Sequence, residues 1–155
     1  DFWVRRRGEP EITGVDFRGL KKAKPTDEVI SAFSSEENVI IGPSNPITSI
    51  GPILGIKGMK DLLAGKKVIA ISPIIGDSPV SGPAGKLMKA CGFPVSSAGV
   101  AGCYRDILDI MVIDHRDNAD EKDFSVKTVR YDTMMTSVEK SKALSGYILG
   151  LLKIF

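Results

Sequence analysis

Three short apolar runs punctuate the chain: Asn38–Ile41, Val68–Ile71 and Ile110–Ile113. Each is rich in β-branched residues and too short for a helix, so each reads as a buried strand. Between them the apolar positions fall at helical spacing. Thr26 precedes Asp27 and Glu28 as an N-cap, and Val29, Ile30 and Phe33 share one helical face. Ile47–Leu54 reads as a short helix, capped by Thr48 and Ser49 and broken by Pro52 and Gly55. Gly58–Leu63 adds a helical turn or two. Ser81-Gly82-Pro83-Ala84 opens a further helix with a hydroxyl cap and an early proline; it runs through Leu87, Met88 and Ala90 to Gly92. Gly99–Ile107 is expected to be helical, and a long last helix begins at Thr136, with Val138, Ser141, Leu144, Ile148, Leu151 and Leu152 in phase.

Weaker patterns fill the remainder. Phe2–Arg7 reads as extended, Ile12–Phe17 as a short exposed strand, and Phe93–Ser96 as a short edge strand. His115–Asp123 is a charged loop or short helix, and Phe124–Tyr131 a strand of imperfect alternation. The order strand–helix–strand–helix–strand, with strands apolar on consecutive residues, predicts an α/β fold whose parallel sheet is covered on both faces.

Composition narrows the function. A chain of 155 residues makes one domain and buries roughly 70% of the surface its unfolded form exposes. A net charge of +2 is too small to argue for nucleic acid or an anionic membrane. No apolar stretch approaches a bilayer span. Cys91 and Cys103 form neither a disulfide framework nor a metal-binding spacing, and both read as buried, inert thiols suited to a reducing cytoplasm. The first residues, Asp1 to Arg7, carry their charges after the apolar positions, unlike a signal peptide. The chain starts with Asp, not Met, and reads as a piece of a longer polypeptide.

Candidate chemistry lies where strands end. After Asn38–Ile41 comes Gly42-Pro43-Ser44-Asn45-Pro46-Ile47-Thr48-Ser49. Gly42 permits close approach of the backbone, and Ser44, Asn45, Thr48 and Ser49 supply neutral donors and acceptors for a phosphate or a heterocycle edge. The competing reading is a proline-stiffened turn that satisfies its own backbone. Ser81, Gly82 and Lys86 mark a second such place, a helix start with an added cation, although it lacks the Walker spacing. Plain helix capping is the alternative there. Both loops follow buried strands and would open on the same sheet edge. Arg5 and Arg7 share one side of an extended segment and could reach a phosphate, or simply form a solvated edge. The acids Asp106, Asp109, Asp114, Asp117 and Asp120 read as a helix end and solvated loop, with Asp114 at a strand end open to a ribose or a metal. His115, the sole histidine, reads as a surface residue, and no acid–base pair or activated nucleophile is evident.

Taken together, Trp3-Val4-Arg5-Arg6-Arg7-Gly8-Glu9-Pro10, Ile40 to Leu54, Ile71 to Gly76 and Val80 to Met88 resemble the 2-phospho-L-lactate transferase family of coenzyme F-420 biosynthesis. The resemblance covers nearly the whole chain. It implies a Rossmann-like α/β fold, usually in a homodimer. It also implies transfer of a 2-phospholactyl or phosphoenolpyruvyl group from a guanosine diphosphate carrier to the deazaflavin Fo, with release of GMP and a need for magnesium. Family members are longer and open with a glycine-rich loop, and the aspartates implied to hold magnesium belong to that first half. Residues 1–155 therefore resemble the carboxyl-terminal half, with no metal ligands of its own and no activity alone. Gly42, Ser44, Asn45, Thr48, Ser49, Ser81, Gly82 and Lys86 are the expected substrate contacts. The alternative is a non-catalytic nucleotide- or nucleotide-sugar-binding regulator of the same fold. A third possibility is a dimerisation scaffold that packs the apolar face of Val138–Leu152 on a partner.

Overall fold

The computed structural model describes Phe2 and residues 4–153; Trp3, in the segment expected to be extended, lies outside the described residues. Its strands are β1 (Asn38–Ile41), β2 (Lys67–Ile71), β3 (Ile74–Ile75), β4 (Ser78–Pro79), β5 (Ile110–Asp114) and β6 (Lys127–Tyr131). Its helices are α1 (Asp27–Ser35), α2 (Gly51–Leu54), α3 (Met59–Leu63), α4 (Ala84–Ala90), α5 (Ser97–Cys103) and α6 (Val138–Lys153). β1, β2, β5 and β6 lie side by side in that order, and every pairing is parallel. The register sets Ile40 beside Ile69, and Ile69 beside Ile110. All four carboxyl ends therefore open on one edge, in the expected Rossmann-like α/β arrangement.

The apolar runs split between two cores. Val68, Ala70, Met111 and Ile113 face one side, packed with Ile47, Leu63, Leu87, Met88 and Val100 from the helical layer. Ile69, Ile71, Ile110 and Val112 face the other, where α6 supplies Leu144, Ile148 and Leu151. Tyr131 of β6 and Tyr147 of α6 stack there, ring centroids 4.2 Å apart. Burial on both faces is why β2 and β5 are apolar at every position rather than at alternate ones. The face of α6 expected to meet a partner is thus largely occupied by its own sheet.

Several local expectations are corrected. β1 is an edge strand, and only its Ile41 is buried; Ile40 is 45% exposed and belongs to neither core. Thr26 caps α1 as expected, accepting from the Val29 N–H. Residues 4–7 form turns rather than an extended segment, and residues 11–17 have no strand partner. Phe93–Ser96 leads into α5 instead of pairing at an edge, and Ser96 caps that helix by accepting from the Gly99 N–H. The short hairpin β3–β4 turns at Gly76-Asp77, in a stretch expected to be loop. Pro52 does not break its helix. Pro46–Ile50 forms a π-turn that runs into α2, and Pro52 sits in the first turn of α2, where a missing N–H is tolerated.

Candidate functional site at the carboxyl edge of the sheet

The loops that leave β1 and β2 converge on a cavity of about 490 Å³. Ser44, Asn45, Thr48 and Ser49 line one side, Ser81, Gly82 and Pro83 the other, with Pro43, Pro73 and Leu87 between them. The β1 loop is built tightly. Ser44 N–H donates to the Gly42 carbonyl at 2.7 Å. Asn45 Oδ1 accepts from Ile47 N–H at 2.9 Å and Thr48 N–H at 3.1 Å, so Asn45 is the cap of the π-turn, and Thr48 and Ser49 are not. Short π-turns recur at functional sites because the widened turn redirects side chains. The hydroxyls of Ser44, Thr48, Ser49 and Ser81 make no hydrogen bond among the described residues, which leaves them free to meet a ligand.

A smaller cavity of about 280 Å³ continues the cleft across the sheet edge. The two share Pro43, Pro73 and Ser81. Val80, Thr133, Met134, Met135 and Thr136 form its far wall. Two buried networks brace this floor. Ser72, immediately before Pro73, has its Oγ 2.8 Å from that of Ser97, and Ser97 Oγ donates to Asp117 Oδ2 at 2.6 Å. Asp114, fully buried at the end of β5, accepts from Arg116 Nε at 2.5 Å and Nη2 at 2.7 Å, and from the N–H and hydroxyl of Thr133, both at 2.9 Å. Burial works against ionisation of Asp114, but the Arg116 and Thr133 hydrogen bonds prevail and hold its carboxyl well below the usual range.

Six of the eight expected contact residues thus line one cavity. Gly42 does not line it, and a Cβ there would meet no atom of the described residues within 4 Å. Lys86 points elsewhere: its Nζ donates to the carbonyls of Gly8 at 2.9 Å and Glu9 at 2.5 Å. Ser81 does not cap α4, whose N-cap is Pro83 without a side-chain bond. Pro73, Met134 and Met135 carry no signal of a site in the sequence, since only the fold brings residue 43 to residue 73 and residue 134.

Asp114, His115 and Asp132 offer ligand atoms within 4.8 Å of one another, the geometry of a metal group. The chemistry does not fit magnesium. Both Asp114 oxygens are committed to Arg116 and Thr133, and Asp132 pairs with Arg116 and Lys140, each at 2.8 Å. Two cationic side chains already hold these carboxylates, and magnesium needs free oxygens in octahedral array. Asp114 is therefore a structural anchor rather than a ribose or metal contact, and Asp117 is buried rather than solvated. His115 is exposed, as expected. Cys91 is exposed and Cys103 partly buried, so the first of these corrects the expectation of two buried thiols.

A family model described as 2-phospho-L-lactate transferase CofD matches residues 1–147. The chain belongs to this family. Both walls of the cleft lie within the matched span. The chain is 58% identical over 154 residues to the 2-phospho-L-lactate transferase of Methanosarcina barkeri, a match that covers 97% of the chain and 50% of that protein. To the 2-phospho-L-lactate transferase of Methanocaldococcus jannaschii it is 46% identical over 149 residues, covering 96% of the chain and 48% of that protein. The chain spans about half the length of these curated relatives. Among the described residues, no helix is long and apolar enough to cross a membrane.

Proposed function

We propose that the cleft is one wall of the substrate site of a 2-phospho-L-lactate transferase in coenzyme F-420 biosynthesis. The observation that carries this reading is the convergence of Ser44, Asn45, Thr48, Ser49, Ser81 and Gly82 on one cavity at the carboxyl edge of a parallel sheet. Ligands of open α/β sheets bind at that edge. In the reaction, a ribityl hydroxyl oxygen of Fo attacks the phosphorus attached to the lactyl (or enolpyruvyl) group. The bond from that phosphorus to GMP breaks, and GMP leaves. Such transfer depends on in-line positioning and on donors that meet charge on the phosphoryl oxygens. The four free hydroxyls are suited to that positioning, and Asn45 fixes the loop that carries three of them.

Among the described residues no carboxylate set fits magnesium, so we place its ligands and the catalytic groups in the remainder of the full enzyme. Alone, this chain is then inactive. The homodimer is likewise a proposal; Val138 and Leu149, 63% and 51% exposed on α6, are the apolar positions left to a partner.

The test is Ser44→Ala and Asn45→Ala in the complete polypeptide that carries this chain, with Fo and the guanylylated phospholactate as substrates. Mass detection of the phospholactyl-deazaflavin reads turnover, and a substrate series reads KM. Each variant is expected to raise KM or lower kcat at least tenfold. Unchanged values for both would remove the cleft from the site, and the absence of product from the unsubstituted protein would favour a non-catalytic nucleotide binder.

A further inference from the structure

A second cavity, of about 510 Å³, lies across the Gly82–Pro83 turn from the cleft. Its charged lining is Arg7, Lys86 and Lys89 against one acid, Asp77, which accepts from the Ser78 hydroxyl at 3.0 Å. Lys86 binds only the neutral carbonyls of Gly8 and Glu9, so its charge is fixed in place without being cancelled. Those two bonds clamp a tight turn. Glu9 N–H donates to the Arg6 carbonyl at 2.9 Å, and the central residues Arg7 and Gly8 both have positive φ, +49° and +75°. Arg7 is the only non-glycine residue at positive φ among the described residues. Arginine gains nothing locally from that conformation, which glycine or asparagine adopts at lower cost. What the conformation achieves is placement: the turn puts Arg7 on the cavity wall. Among the described residues neither Arg7 nor Lys89 has an acidic partner. A backbone outlier held by a buttress and presenting a free cation to a cavity is the pattern of a built site rather than of a solvated charge run.

We propose that this cavity is an oxyanion subsite that takes a phosphate or carboxylate group through Arg7 and Lys89, with Lys86 as the residue that positions the turn. A guanidinium suits either anion because its planar donors match two oxygens at once. The proposal stands apart from the reading of the cleft, since the two cavities share Gly82 and Pro83 but none of the hydroxyl-bearing residues.

Calorimetric titration of the complete polypeptide with inorganic pyrophosphate, and separately with malonate, tests it. Binding of either probe is expected, and the tighter one names the anion class. The double variant Arg7→Ala/Lys89→Ala should weaken binding at least tenfold, and added salt should weaken it in the unsubstituted protein. Lys86→Met should weaken it as well, with Lys86→Arg restoring part of the loss. Asn45→Ala, beyond the Gly82–Pro83 turn, should leave it unchanged. Circular dichroism on each variant checks that the fold is kept. No binding of either probe overturns the proposal, as does binding that the double variant leaves intact. Binding abolished by Asn45→Ala alone assigns the probe to the cleft and also overturns it.

Discussion

Ser97 Oγ donates to Asp117 Oδ2 at 2.6 Å, and both side chains are buried. Ser97 Oγ also lies 2.8 Å from Ser72 Oγ, where either hydroxyl can donate, and both hydroxyls reach the Ile74 carbonyl, Ser72 at 3.0 Å and Ser97 at 3.1 Å. Ile74 N–H completes the chain by donating to Ser72 Oγ at 3.0 Å. The network joins the end of β2, the start of α5 and the loop after β5 beneath Pro73. Ser97→Ala removes the link and leaves a buried carboxylate short of a donor. It is expected to cost about 1–3 kcal/mol, read as a lower urea midpoint at unchanged m-value. A shift within a few tenths of a kcal/mol would show that the serine contributes no net stability.

Acid should loosen the other end of the cleft. The folded-state pKa of Asp114 is depressed, because the Arg116 and Thr133 hydrogen bonds to its carboxylate outweigh the opposing effect of burial. A depressed carboxyl contributes stability that is fully present above its unfolded pKa, about 4, and is lost as pH falls through the folded value. Unfolding free energy should therefore decline steadily below about pH 4. Asp114→Asn should be less stable at pH 7 and show a shallower decline on the acid side. Equal slopes in the two proteins would place the acid sensitivity elsewhere.

Much of this architecture was legible in the sequence, for identifiable reasons. β2 and β5 are buried on both faces, so their runs of β-branched residues had no competing helical reading. The Ser44–Ser49 loop was legible because proline, asparagine and hydroxyl residues follow directly on an apolar run. What escaped notice depends on partners distant in sequence. The exposure of Ile40 follows from the edge position of β1, which composition cannot reveal. Lys86 looked like a phosphate ligand at a helix start, but its reach to Gly8 and Glu9 exists only once the chain is folded. Asp114 and Asp117 resembled their solvated neighbours until Arg116, Thr133 and Ser97 were placed around them.

The two thiols should differ in reactivity. Cys91 is exposed. Desolvation, with a smaller contribution from nearby Cys91, pushes the Cys103 thiol up to about 12, and its Sγ donates to the Gly99 carbonyl at 3.4 Å. Since the thiolate is the nucleophile, Cys103 stays inert at neutral pH. Titration of the native protein with a chromogenic disulfide should release one rapid equivalent, lost in Cys91→Ser. A second equivalent should appear only on denaturation. Two rapid equivalents would mean that Cys103 is less shielded than its surroundings imply.

Two helical glycines should respond to alanine with opposite signs. At Gly99, in α5, a Cβ would lie 2.0 Å from the Pro94 carbonyl oxygen and 3.2 Å from the Met88 methyl. The methyl can rotate aside, but the carbonyl belongs to the backbone that leads into the Ser96 cap, so α5 or that segment must shift. Gly99→Ala is expected to cost at least about 1–3 kcal/mol, the usual range for overpacking. At Gly146, in α6, a Cβ would meet nothing within 4 Å. Alanine there keeps the helix, removes backbone freedom from the unfolded chain, and should stabilise by about 0.5–1 kcal/mol. Thermal denaturation of the pair reads both signs in one experiment. If Gly99→Ala were as stable as the unsubstituted chain, α5 would have to sit farther from the Pro94 carbonyl than the structure places it.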